Sequence, residues 1–130
     1  MAMREGTAER RAQLYREALA LIARDYASNL HLEGVARDLA ASRRQLQRAF
    51  AEAGDTSFRD ELAKVRMHHA RELLASNELS VRQVAVAVGY PQPAQFAKSF
   101  RRHHGYPPSA YRRQRHGLRD GGPPERDDDL

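Results

Sequence analysis

Polar and basic side chains collect on one side of a short segment near the C-terminal end of the chain. In that segment Phe96 and Phe100 lie four residues apart, as they would on one face of a helix. The opposite face carries Gln95, Lys98, Ser99, Arg101 and Arg102. From Leu79 to His116 there are seven Lys and Arg residues and no Asp or Glu. A cationic and amide-bearing face without acidic neighbours favours binding to a polyanion.

The residues before this basic face predict a shorter helix that packs against it. Ser80 is placed to cap that helix, and Gln83 stands where a capping box has its return hydrogen bond. The apolar face consists of Val81, Val84, Ala85 and Val88. Gly89 ends the helix, and Pro93 suits the first turn of the next one. Two helices, a glycine turn and a basic outer face are typical of a helix-turn-helix.

The same arrangement occurs earlier in the chain, which indicates an internal repeat. The spacing of those four apolar residues is found forty-nine residues earlier at Leu32, Val35, Ala36 and Leu39, and Leu46 and Phe50 precede Phe96 and Phe100 by fifty. Self-similarity at a fixed spacing predicts a duplicated unit. In the first copy Ser42 is placed to cap the second helix, whose exposed side then carries Arg43, Arg44, Gln47 and Arg48.

Three further helices are predicted around the two copies. A supporting helix over about 7–28 has an apolar stripe of Leu14, Ala18, Leu21, Ile22 and Tyr26. A continuous helix over about 57–76, capped by Ser57 with Asp60, has a stripe of Phe58, Leu62, Val65, Ala70, Leu73 and Leu74. A last short helix starts at Pro108, with Tyr111 packed inward and Arg112, Arg113 and Arg115 solvated. The sequence thus predicts an all-α domain over 7–116.

Composition restricts the class of protein. The 130 residues carry a net charge of +5, and the excess lies in His31–His116, with fifteen basic and eight acidic residues. Residues 117–130 hold five acidic and two basic residues in a Gly/Pro-rich setting, which predicts a disordered acidic tail. No cysteine is present, and no apolar run is long enough to span a bilayer. Of the 22 basic residues only Lys64 and Lys98 are lysine, a bias typical of a GC-rich bacterial genome. We therefore expect a cytoplasmic protein of a bacterial nucleoid.

The sequence offers little support for an enzyme or a metal site. His68-His69 and His103-His104 are adjacent pairs, whose members point about 100° apart on a helix, and no histidine pair four residues apart joins a carboxylate as in a zinc enzyme. The serines lack a base partner, and helix capping explains most of them. We expect no catalytic residue, no metal and no cofactor.

A resemblance to a known family rests on the second copy and its tail, VAVAVGYPQPAQFAKSFRRHHGYPPSAYRR. The Gly89-Tyr90 turn, the Phe96/Phe100 pair and the ending from Gly105 to Tyr111 resemble the DNA-binding domain of the AraC/XylS family of bacterial transcription regulators. The match covers about 25–113. The first copy is more degenerate, because Ala40 stands where the family often has the turn glycine and Gly54 comes one residue early.

The resemblance implies seven helices arranged as two helix-turn-helix subdomains, at about 31–54 and 80–104, joined by a rigid helix over about 57–76. It implies that the second helix of each subdomain enters the major groove. The base-reading candidates carried over by position are Arg44, Gln47 and Arg48 in the first copy and Ala94, Gln95 and Lys98 in the second. Arg suits guanine and Gln suits adenine, while Ala94 offers only apolar contact. Candidate phosphate contacts are Arg43, Ser99, Arg101 and Arg102.

The two basic recognition faces predict sequence-specific binding to double-stranded DNA by a monomer. The resemblance implies a transcription regulator, which we expect to be an activator with RNA polymerase subunits as candidate protein partners. Family members usually carry an additional effector-binding or dimerisation domain. The chain is therefore either a stand-alone DNA-binding domain or a fragment of a longer regulator, and of these two alternatives we expect the first. One alternative is a protein-interaction adaptor that keeps the fold without specific DNA binding. Another is sequence-independent nucleoid binding, which competition with unrelated duplex would distinguish.

Overall fold

The structure is a computed structural model that describes residues 2–115 of the chain. Within this range there are seven α-helices and no strand: α1 (Ala2–Asp25), α2 (Leu32–Asp38), α3 (Arg43–Gly54), α4 (Phe58–Ser76), α5 (Val81–Ala87), α6 (Pro93–His104) and α7 (Pro108–Arg115). The predicted all-α fold of seven helices is confirmed. The predicted acidic tail, 117–130, lies outside the described residues.

The chain divides between Val65 and Arg66 into two compact units. In the first unit α1 and α2 both pack against α3. Its core contains Ala18, Leu21, Ile22, Val35, Ala36, Leu46, Phe50, Phe58 and Leu62, all buried. The ring of Phe50 is central, because Tyr15 and Phe58 meet it edge-on with ring centroids 5.2 Å and 5.9 Å away. The apolar stripes predicted from helical spacing are therefore the ones that form this core.

The second unit is built on α5, α6, α7 and the C-terminal part of α4. Its buried side chains include Met67, Ala70, Leu74, Val81, Val84, Ala85, Val88, Phe96, Phe100, Pro108 and Tyr111. Phe100 is fully buried, with Phe96 and Tyr111 each 5.9 Å away between ring centroids. Met67 is 1% exposed although it was not part of the predicted stripe. Its flexible side chain suits an irregular gap in a core.

Both short helices end in the same hydrogen-bonded turn, although only one of them has glycine there. After α5, the Gly89 amide donates to the Val86 carbonyl (3.0 Å) and the Tyr90 amide to that of Ala85 (2.8 Å), which is a Schellman motif. After α2 the equivalent bonds run from Ala40 (3.1 Å) and Ala41 (2.8 Å). Gly89 has φ 103° and Ala40 has φ 56°. The departure at Ala40 therefore leaves the turn intact but places an L-residue in left-handed backbone.

Gly54 has a packing role rather than a turn role. It is the last residue of α3, and the left-handed position after it is taken by Asp55, with φ 52°. A Cβ added at Gly54 would lie 2.4 Å from the ring of Tyr15 on α1. Only glycine lets that ring approach the helix so closely, which explains why a glycine stands one residue early.

Two sequence-based expectations need correction. Arg112 was expected to be solvated, but it is 8% exposed, and its Nε donates to the carbonyl of Leu74 in the last turn of α4 (3.1 Å). A helix C-terminus leaves carbonyls that cationic groups stabilise, so this hydrogen bond offsets part of the cost of burying the arginine. Helix α1 ends at Asp25 rather than Ser28, because both the amide and the hydroxyl of Ser28 donate to the Asp25 carbonyl in a turn.

Candidate nucleic-acid interface

The outer face of α3 presents the predicted polar set of the first copy. Ser42 and Gln45 form a reciprocal capping box, with the Gln45 amide donating to Ser42 Oγ (3.0 Å) and the Ser42 amide to Gln45 Oε1 (2.7 Å). Leu46 and Phe50 anchor the opposite face in the core. The exposed residues of the outer face include Arg43, Arg44, Gln47 and Arg48. The first unit therefore brings its four candidate DNA contacts together on one side of one helix.

Two carboxylates adjoin this face, and sequence reasoning had given neither a role. Glu33 of α2 pairs with Arg43, with Oε2 3.4 Å from Nη1. Glu52, one turn beyond Arg48 on α3, pairs with Arg48 Nε at 3.6 Å and also with Arg11 of α1. The four-residue spacing of Arg48 and Glu52 is a signal that could have predicted their pair. The contact of Arg11 with Glu52 joins residues 41 positions apart, and only the tertiary fold shows it.

Basic side chains of α1 extend the positive surface around α3. A groove of about 540 Å³ runs beside the turn between α2 and α3. Its lining includes Arg10 and Arg11 from α1 together with Arg44 and Arg48 from α3. Glu17 also lines the groove, and Glu52 pairs with Arg11 and Arg48. The attraction of this part of the first unit for polyanions therefore depends mainly on Arg10 and Arg44.

Helix α6 presents the corresponding face of the second unit. Pro93 occupies the first turn, as predicted, and Phe96 and Phe100 face the core. Ala94, Gln95 and Lys98 are exposed on the outer side, and so are Arg101 and Arg102 in the last turn. Helix α6 itself contains no acidic residue. Its attraction for phosphate is therefore not reduced by an ion pair within the helix.

Ser99 differs from the other predicted phosphate contacts. It is half-buried, and its Oγ accepts a hydrogen bond of 2.9 Å from the hydroxyl of Tyr90. Its neighbours Arg101 and Arg102 point their charges into solvent. The structure thus places Ser99 where α6 is attached to the preceding turn, and its role as a phosphate contact stays a prediction.

The turn before α6 is held by packing around Tyr90. The guanidinium of Arg66 lies 5.3 Å from the centre of the Tyr90 ring, a cation–π distance. Burial lowers the pKa of Arg66, with partial compensation from its interaction with Tyr90. A Cβ at Gly89 would stand 2.9 Å from Arg66 Nε. Gly89 is therefore needed for its backbone conformation and for this close approach.

Histidines do not assemble a metal site in the described part of the chain. Within residues 2–115 no group of three His, Asp or Glu side chains could hold an ion. His68 and His69 both lie beside Glu72, at 3.5 Å and 3.9 Å. His104 packs on Phe100 with ring centroids 4.4 Å apart, and burial lowers its pKa. Among the described residues no helix is long and apolar enough to cross a membrane.

Comparison with known proteins gives a consistent result. A family model described as a helix-turn-helix domain matches residues 35–114. The uncharacterized HTH-type transcriptional regulator YijO of Escherichia coli K12 is 36% identical over 85% of this chain and 39% of its own length. The chain spans less than half the length of the curated relatives it matches.

Two solved structures have the same fold. The C-terminal domain of AraT, a response regulator from Geobacillus stearothermophilus, is 35% identical, with a TM-score of 0.76 over 78% of this chain and 84% of that one. The DNA-binding domain of AdpA, solved in complex with a target DNA, is 28% identical, with a TM-score of 0.75 over 83% of this chain and 97% of that one. The family model, the relative and the folds agree, and the chain belongs to the AraC-type helix-turn-helix family of transcriptional regulators.

Proposed function

We propose that this chain is a sequence-specific DNA-binding regulator, an activator, in which α3 and α6 each enter the major groove of double-stranded DNA. The observation that carries the proposal is the exposed polar and basic face on the second helix of each helix-turn-helix. The complex of AdpA with its target DNA supports duplex DNA as the partner. The assignment as an activator rests on the family resemblance, and RNA polymerase subunits are its expected protein partners.

The residues divide into two roles. Arg44, Gln47 and Arg48 on α3 read bases, because their side chains can form bidentate hydrogen bonds with guanine or adenine edges. Ala94, Gln95 and Lys98 do so on α6, where Ala94 offers apolar contact to a thymine methyl. Arg43, Arg101 and Arg102 bind phosphates and fix register.

Two different recognition helices in one chain imply an asymmetric site. A dimer places the same helix in both half-sites and so prefers a palindrome, whereas α3 offers two arginines and a glutamine to the bases and α6 offers an alanine, a glutamine and a lysine. We propose that one chain occupies a site of roughly two helical turns, since adjacent major-groove faces lie about 34 Å apart. Sedimentation of the complex should give one protein per duplex, and a two-to-one complex on a palindrome would contradict this.

The decisive experiment is selection of preferred sequences from a random duplex library, followed by affinity measurements over a range of salt concentration. A specific regulator should enrich one asymmetric sequence and bind it at least about a thousandfold more tightly than unrelated duplex. An adaptor should bind neither, and a nucleoid protein should bind both alike. A promoter carrying the selected sequence and transcribed by purified RNA polymerase should then give more transcript when the protein is added.

A matched pair of variants tests the division of roles. Arg48→Ala should weaken specific binding by roughly 1–3 kcal/mol and relax preference at one base pair. Arg101→Ala should weaken binding to every duplex alike and reduce the salt slope by about one. If both variants lose affinity uniformly with unchanged base preference, Arg48 does not read a base.

A further inference from the structure

Glu52 lies between two arginines at the edge of the α3 outer face. One of its carboxylate oxygens, Oε1, accepts a hydrogen bond from Arg11 Nη1 of α1. The other, Oε2, is 3.6 Å from Nε of Arg48. The side chain of Arg11 is 29% exposed, while those of Arg48 and Glu52 are about half exposed. A single carboxylate thus connects a residue of the supporting helix to a proposed base-reading residue.

The atoms involved matter for recognition. Glu52 engages Arg48 through Nε, so the terminal Nη1 and Nη2 groups remain available on the far edge of the guanidinium. Those two groups can donate together to O6 and N7 of a guanine. Because Glu52 is one turn further along the same helix, its carboxylate lies on the Nε side of the guanidinium at ion-pair distance and leaves clear the edge that can meet a base.

We propose that Glu52 is a positioning residue that determines specificity: it orients Arg48 for guanine, and Arg11 in turn orients Glu52. The inference rests on the proposed function of α3 as a base-reading helix. An arginine side chain loses conformational entropy when it binds a base. A partner that holds the side chain in its binding geometry before the DNA arrives reduces this entropy loss, but only for the base contact that this geometry allows. A site loses selectivity when the side chains that support its contact residues are removed.

Two physical arguments favour a role in specificity over a role in folding. Exposed ion pairs contribute little to stability, so Glu52 is not explained as a structural bridge. A carboxylate close to DNA also weakens binding to every duplex, because it opposes the phosphates. A group that reduces non-specific affinity while supporting one base contact increases the ratio between specific and non-specific binding.

The chain contains a matched control. Glu33 pairs with Arg43 at 3.4 Å, and both side chains are about as exposed as those of the Arg48–Glu52 pair. Arg43 is proposed to bind phosphate, which reads no sequence. Glu33→Gln therefore removes the same charge from the same unit without affecting a base-reading residue.

The experiment uses the full chain and the duplex sequence selected by the wild-type protein. Arg48→Ala first identifies the base pair at which preference relaxes. Glu52→Gln should then reduce preference at that base pair by about three- to tenfold, which is part of the discrimination that a bidentate arginine–guanine contact provides. The affinity for unrelated duplex should stay equal or increase. Arg11→Gln should reduce preference at the same base pair by a smaller factor. The double variant Arg11→Gln/Glu52→Gln should match Glu52→Gln alone, since both act through one carboxylate.

Several outcomes would overturn the proposal. They are a Glu52→Gln protein whose affinity for specific and unrelated duplex changes by the same factor, a Glu33→Gln protein that loses as much preference at the same base pair, and an Arg48→Ala protein that relaxes no base pair. If Glu52→Gln does not fold, Arg11→Gln decides, and unchanged preference in that variant overturns the proposal. Failure of the wild-type protein to select any sequence contradicts the proposed function itself, whereas normal selection with unchanged preference in Glu52→Gln contradicts only this inference.

Discussion

Replacing Ala40 with glycine should stabilise the first unit, although substitution to glycine usually destabilises a protein. Ala40 is exposed and has φ 56°, in the turn where α2 ends. An L-residue in left-handed backbone costs roughly 1–2 kcal/mol, and glycine avoids this cost. The greater freedom of glycine in the unfolded chain costs about 0.5–1 kcal/mol. The difference predicts a net gain between about 0 and 1.5 kcal/mol, with a midpoint of roughly 0.75 kcal/mol, in the free energy of unfolding for Ala40→Gly.

The neighbouring residue provides the control. Ala41 donates its amide to Ala36 in the same turn but is not among the residues with positive φ. Ala41→Gly should therefore lose about 0.5–1 kcal/mol from the greater freedom of the unfolded chain, together with a small loss from removing a half-buried methyl group. The reciprocal change, Gly89→Ala, should lose more than about 1 kcal/mol, since φ there is 103° and the new Cβ meets Arg66.

Urea unfolding followed by circular dichroism at 222 nm measures all three variants on the same chain. The expected order of midpoints is Ala40→Gly above wild type, with Ala41→Gly and Gly89→Ala below it. The slope of the transition should stay unchanged, because none of these changes alters the surface that unfolding exposes. A midpoint for Ala40→Gly as low as that of Ala41→Gly would refute the argument that the left-handed conformation at Ala40 costs stability.

Three further predictions concern the core, the long helix and pH. Phe100→Ala should cost roughly 3–5 kcal/mol in unfolding free energy, measured by urea denaturation, because Phe100 is fully buried among aromatic rings. Lys64→Pro should break α4 and abolish preference for the selected duplex. Lys64→Ala, at the same exposed position, should keep this preference. Intact preference in the proline variant would show that specific binding does not need a continuous α4. The pKa of His104 is lowered mainly by burial. As pH falls, this histidine is therefore protonated in the unfolded protein at a higher pH than in the folded protein. The contribution of neutral His104 to the free energy of unfolding should be fully present above about pH 6.5, the ordinary histidine pKa, and should be lost as pH falls below it. The urea midpoint should depend less on pH in His104→Gln than in a His68→Gln control, and equal dependence would contradict this assignment.

The candidate interface was predictable to the extent that it depends on helical spacing. Once Leu46 and Phe50 are assigned to the core, Arg44 and Arg48 must point away from it, because successive residues of a helix are about 100° apart, and Gln47 lies on the flank beside them. The same argument assigns Gln95 and Lys98 to the outer face of α6. Spacing could not show that Ser99 would be half-buried, since Tyr90 reaches it from the turn before the helix.

The sequence by itself determined the helices, their caps and the two apolar faces, because these follow from interactions between residues a few positions apart. Ser42 and Ser80 cap the helices they were expected to cap, and Val81, Val84 and Phe96 are buried as their spacing required. Such interactions need no knowledge of the rest of the fold.

Only the tertiary structure decided how charged groups pair over long separations. The burial of Arg112 depends on the Leu74 carbonyl, 38 residues earlier, and the contact of Arg11 with Glu52 depends on how α1 packs against α3. A long cationic side chain can reach many partners, and its position in the sequence does not select among them. The selection is made when the apolar faces pack and bring distant backbone and carboxylate groups within reach.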